Sequence, residues 1–108
     1  MIHVTIYQDK RNVCTGFQLK GHAGFAEEGQ DIVCAAVSVL AISTVNGLER
    51  VVHSKPKVTK NEDEGGYLEA TDLDLGHDSQ ILLQTFLNGL LDIQDSYQQY
   101  IEVKMYNE

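Results

Sequence analysis

A chain of 108 residues, 43% hydrophobic and 22% charged, is long enough to close around one hydrophobic core and too apolar to stay disordered. Its formal net charge of −8, from 16 acidic and 8 basic side chains, argues against direct nucleic acid binding, which takes clustered Lys and Arg; it reads first as a solubilising charge and, if anything, favours a basic partner. The longest apolar run, residues 32–42, falls short of the about 20 residues of a membrane span, and MIHVTIYQDK lacks the sections of a signal peptide; the expectation is a single cytoplasmic domain over 1–108 with no membrane contact.

Ile2, Val4 and Ile6 alternate with His3, Thr5 and Tyr7, the period of two of a half-buried strand over 2–8. The polar turn Asp9-Lys10-Arg11-Asn12 leads into a hairpin partner, with Val13, Phe17 and Leu19 expected on one face and Cys14, Gln18 and Lys20 on the other. Gly21, Gly24 and Gly29, with Glu27 and Glu28 among them, mark a loop expected to be mobile. Asp31 then precedes an apolar run, as a helix N-cap does, so a helix is expected from Ile32 to about His53, stopped ahead of Pro56. Its first half, IVCAAVSVLAI, is apolar nearly all round and should be buried or sit at a subunit interface.

Strands over 57–61 and 67–73 flank Glu62-Asp63-Glu64-Gly65-Gly66, whose composition suits a hairpin turn. From Asp78 to about Tyr97, Ile81, Leu82, Phe86, Leu87, Leu90, Leu91 and Ile93 recur at three- and four-residue spacings and give a second helix with one apolar face. Ile101, Val103 and Met105 alternate with charged residues in a last strand. The order ββαββαβ predicts an α+β two-layer domain, two helices packed on a mostly antiparallel or mixed sheet. Strand order is not legible in this pattern.

The chemistry concentrates in GHAGFAEEGQDIVCAAVS, residues 21–38. A cysteine in an apolar helix is usually a small core residue. Cys34, however, falls in the first turn of its helix, where free N–H groups and the macrodipole favour an anion. A thiolate is the nucleophile of thiol chemistry, and a neighbouring imidazole can serve as its base. His22, at the end of the second strand, needs only the intervening loop to fold back to meet it. The backbone N–H groups of Cys34 and Ala35 would then face an oxyanion. Asp31 reads as helix cap or as orienter of the imidazole, and Ser38 as a helper one turn beyond Cys34 or as a back-bond to its own helix. A zinc site from His22, Cys34 and Cys14 lacks a fourth ligand and metal-ligand spacing, and GHAG is not followed by GK[ST], so neither metal nor nucleotide cofactor is expected. Two cysteines in a cytosolic chain are expected to stay reduced.

GHA, a short glycine-containing loop and then GxDIVCAAVS resemble the ribosomal-processing cysteine protease family called Prp. The resemblance implies a cysteine endopeptidase that removes the N-terminal extension of large-subunit ribosomal protein twenty-seven, cutting after an aromatic residue and acting as a homodimer. It implies His22 and Cys34 as the catalytic pair, with the motif Asp and Ser on Asp31 and Ser38. Beside the resemblance, the loop between the pair, residues 23–30 with Gly24 and Gly29, is expected to act as a gate over the peptide. The alternative reading is a non-catalytic, ribosome-associated interaction module in which Cys34 only packs.

Overall fold

The computed structural model describes residues 1–21, 30–61 and 66–108, with Gln30 as backbone. Its elements follow the order read from the sequence: β1 (Ile2–Gln8), β2 (Cys14–Lys20), α1 (Gln30–Arg50), β3 (Lys57–Asn61), β4 (Tyr67–Thr71), α2 (His77–Ser96) and β5 (Ile101–Asn107). The expected turn at 62–65 lies outside the described residues. The strands form one mixed sheet in the order β3-β4-β2-β1-β5, antiparallel throughout except for the parallel pair β1–β5. Parallel neighbours in space cannot be joined by a tight turn. Each helix is therefore a crossover: α2 carries the chain from β4 past two strands to the far edge, and α1 carries it from β2 over β4 to the other edge.

Both helices cover one face of the sheet. Ile2, Val4 and Ile6 of β1, Phe17 and Leu19 of β2 and Ile101 of β5 meet Val33, Val37, Ala41 and Leu48 of α1 and Leu83, Phe86 and Leu90 of α2 in one buried cluster. Phe17 and Phe86, with ring centroids 4.8 Å apart, pin α2 to the central strand. Each such side chain contributes roughly 1.5–3 kcal/mol by leaving water. An 18-residue window within Asp31–Arg50 reaches a mean hydropathy of 1.8, enough by length and composition to cross a bilayer. Its packing accounts for that value in part: one flank lies on the sheet and another, through Leu40 and Gly47, on Gly89 and Leu82 of α2. The remaining flank leaves Ile32 and Val39 each 63% exposed, so the helix that composition placed in the core or at an interface has an uncovered apolar stripe.

Two local expectations are corrected. Cys14 was expected to face away from Phe17 and Leu19, yet it is only 4% exposed and belongs to their cluster. The cause is a bulge: Tyr7 pairs with Gly16 but Gln8 pairs with Cys14, so Thr15 is the extra residue and the alternation flips. A side chain from α2 secures this irregular start, Gln80 accepting from the Cys14 N–H at 2.9 Å and donating to its carbonyl at 2.9 Å. The second correction concerns α1, which begins at Gln30 and not at Ile32, putting Asp31 inside the first turn and not at the cap. There its carboxylate still meets the positive end of the helix dipole.

Candidate active site

The chain leaves β2 through Gly21, whose φ of 81° is in the left-handed region and whose N–H donates to the Gly66 carbonyl at 2.8 Å. A Cβ here would stand 2.8 Å from the Met1 carbonyl oxygen, so the backbone passes close beside the start of β1. Glycine meets both demands. His22 follows directly, but His22, Gly24 and Gly29 lie outside the described residues. From Gln30, α1 runs antiparallel to α2, since Leu40 meets Gly89 and Gly47 meets Leu82. The start of α2 sits by Cys14 through Gln80, which places the start of α1 at the opposite end of the sheet, beside Met1 and Gly21.

Asp31, Cys34 and Ser38 recur at steps of three and four and so share one flank of α1. Cys34 is half-buried with a free thiol. Burial pushes that thiol up, the Asp31 carboxylate pushes it further, and the amino terminus of Met1 opposes them in part. The lowered thiol expected from a helix start is therefore not produced by the described surroundings. Ser38 is half-buried too, and among the described residues its hydroxyl makes no hydrogen bond. Thr44 shows the contrast, donating to the Leu40 carbonyl at 2.7 Å. The back-bond read for Ser38 is not made, and its Oγ is left available one turn from the sulfur.

With α1 starting at Gln30, the N–H groups of Cys34 and Ala35 point to the carbonyls of Gln30 and Asp31 in the helical ladder. The free donors are those of the preceding turn. Cys14 lies at the other end of the sheet, sealed in the core, with its thiol pushed up to about 11 by burial. It cannot join Cys34 in a metal site or a disulfide, and among the described residues no group of three His, Cys, Asp or Glu side chains could hold a metal ion.

The family profile described as cysteine protease Prp matches residues 1–102. The chain is 32% identical over 104 residues to the ribosomal processing cysteine protease Prp of Staphylococcus aureus, covering 95% of this chain and 97% of that one. This chain belongs to the Prp family of cysteine proteases. The Bacillus subtilis Prp is likewise 32% identical, over 108 residues, with 95% and 96% covered. The fold agrees: SMU.848 from Streptococcus mutans superposes with a TM-score of 0.92 at 30% identity over 100% of this chain and 96% of its own. The Staphylococcus aureus Prp bound to a covalently linked product peptide gives a TM-score of 0.86 at 30% identity, over 98% and 100%. As a Prp this chain is a cysteine protease, and the reading of a non-catalytic module gives way.

Proposed function

We propose that the chain is a ribosomal processing endopeptidase whose nucleophile is Cys34 and whose base is His22, and that its substrate is large-subunit ribosomal protein twenty-seven carrying an N-terminal extension. The observation that supports this most directly is the contrast between the two thiols. Cys34 is partly open, on the flank it shares with Asp31 and Ser38, whereas Cys14 is enclosed. A thiol that attacks a peptide must be reachable, and only one is.

In this mechanism the imidazole of His22 takes the proton from Cys34, and the sulfur attacks the scissile carbonyl, forming the tetrahedral oxyanion. The positive end of α1 and the free N–H groups of its first turn stabilise that charge. Collapse breaks the C–N bond, the imidazolium gives its proton to the departing amine, and water hydrolyses the thioester with His22 again as base. Asp31, which works against the thiolate on its own, stabilises the imidazolium once His22 is charged. Ser38 supplies a hydroxyl to the pair or to the peptide.

Residues 23–30, with Gly24 and Gly29, act as a gate that orders over the peptide. The protein works as one domain in the cytoplasm and as a homodimer, with the uncovered stripe of Ile32, Val39 and Ile42 as the surface for a second subunit. Incubating the wild type and its Cys34→Ala and His22→Ala variants with the extended ribosomal protein, and reading the new N-terminus, tests the central claim. Cleavage by the wild type alone is expected; an uncut substrate, or cleavage surviving in Cys34→Ala, would sink it. Equal hydrogen-exchange protection of 23–30 with and without substrate peptide would remove the gate.

A further inference from the structure

The face of the sheet turned away from the helices carries a hollow of about 460 Å³, lined by Tyr7, Gly16, Glu69, Asp72, Leu75 and Glu108 among others. We propose that it is a docking pocket for the cationic side chain of a lysine or arginine on the body of the substrate, remote from the bond that is cut.

The floor is backbone. A Cβ at Gly16 would come 2.9 Å from the Ala70 carbonyl oxygen and 3.6 Å from Cδ2 of Tyr7, so the hollow exists because this position has no side chain. Tyr7 stands as one wall, braced edge-on by Tyr106 with centroids 5.7 Å apart. Leu75, 49% exposed, supplies an apolar wall. Glu69 is held in place by the Tyr67 hydroxyl at 3.0 Å and the Gln18 amide at 3.3 Å, both donating to the same carboxylate oxygen. Among the described residues, the ion pairs engage Glu102 and Asp78, and none engages Glu69, Asp72 or Glu108. No Lys or Arg lines the hollow.

These walls select a chemistry. An aromatic ring attracts a cation placed over its face, and a methylene stem lies well on an exposed leucine. The carboxylates accept from the charged head. An anion would be repelled, and a neutral apolar group would strip water from carboxylates without pairing them. The hollow sits by Thr71 and Thr15, at the Gln8 end of β1, while Cys34 lies toward the Met1 end and on the helix side. A seven-residue strand spans roughly 20 Å. The pocket thus grips a part of the substrate well away from the scissile bond. Its assignment to substrate rests on the proposed function; its preference for a cation does not.

The experiment titrates the 15N-labelled Cys34→Ala protein with acetyl-Gly-Arg-Gly-amide and, in parallel, with the citrulline tripeptide, which has the same shape and no charge. Saturable shifts are expected at the amides of Tyr7, Gly16, Thr71 and Asp72 for arginine and not for citrulline, weakened at least about tenfold in Glu69→Gln/Asp72→Asn. Asn tolerates the φ of 52° at position 72, and each single variant backs up the double one. Non-saturable shifts, equal shifts from citrulline, or shifts indifferent to the substitutions would overturn the pocket. In the cleavage assay the double variant should raise KM for the full-length ribosomal protein several-fold and leave kcat/KM for a short peptide spanning the cleavage site unchanged. An unchanged full-length KM would overturn its role toward substrate. If the wild type cleaves neither substrate, the proposed function has failed and the titration still decides the pocket.

Discussion

Native-state alkylation should separate the two thiols cleanly. Cys14 is 4% exposed and its thiol is pushed up to about 11. At a pH of about 7.5 its thiolate fraction is then about 3 in 10,000, against about 3 in 100 for a cysteine at the ordinary 9.0. Ionisation alone slows its reaction with iodoacetamide about 100-fold, before access through the packed core is counted. Cys34 is also held above its ordinary value, but it is half-open. The perturbation is Cys34→Ser, and the assay is mass spectrometry of tryptic peptides over a time course with and without denaturant. The native wild type should take its label at Cys34, and the variant should stay unlabelled until it is unfolded. Native labelling of Cys14 within about tenfold of Cys34 would refute the reasoning, because it would mean that the core opens at the bulge on the timescale of the reagent.

Replacing Asp31 by Asn removes a carboxylate that pushes the Cys34 thiol up, so native alkylation of Cys34 should become faster; if Asp31 also steadies a charged His22, peptide cleavage should fall at the same time, and a rise in both would rule that second role out. Gln80→Leu leaves the N–H and carbonyl of Cys14 without the partners they have at 2.9 Å each, and should cost about 2–3 kcal/mol, lowering Tm by on the order of 10 °C in a thermal melt; an unchanged Tm would show that water replaces the amide freely. Cys14 also sets an alkaline limit. Its folded value of about 11 exceeds the ordinary 9.0, so between the two the native state holds a proton that the unfolded chain has lost. Stability present below about pH 9 should therefore decline by about 2–3 kcal/mol as pH rises through 11, and urea melts of Cys14→Ala should lack that slope.

Most element boundaries were legible because periodicity and chain breakers agree with tertiary packing. The period of two over Ile2, Val4 and Ile6 survives as a central strand with one buried face, and Pro56 follows the end of α1. The misreadings share a cause: each depended on an offset of one or two residues that pairing partners decide. The bulge at Thr15 is specified by the register against β1 and by Gln80, 66 positions from Cys14, so no local window over β2 could show Cys14 turning inward. The start of α1 differs by two residues, yet that moves Asp31 from cap to first turn. Sheet order was illegible for a related reason. β2–α1–β3 and β4–α2–β5 each skip over at least one strand, and composition does not say how many.

The state of Cys34 bears on how a protease avoids cutting the proteins around it. In the described surroundings burial and Asp31 both favour the protonated thiol, and the opposing pull of the Met1 amino terminus does not reverse them. A nucleophile kept as thiol is slow toward carbonyls. On the proposed mechanism His22 is the base that accepts its proton, after which the same Asp31 changes sign in effect: unfavourable beside a lone thiolate, it is favourable beside an imidazolium. The pair would then stabilise itself only when His22 stands within reach of both groups. On that mechanism selectivity lies in the pair and not in Cys34 alone: without its base Cys34 is a thiol that its described surroundings hold above the ordinary value.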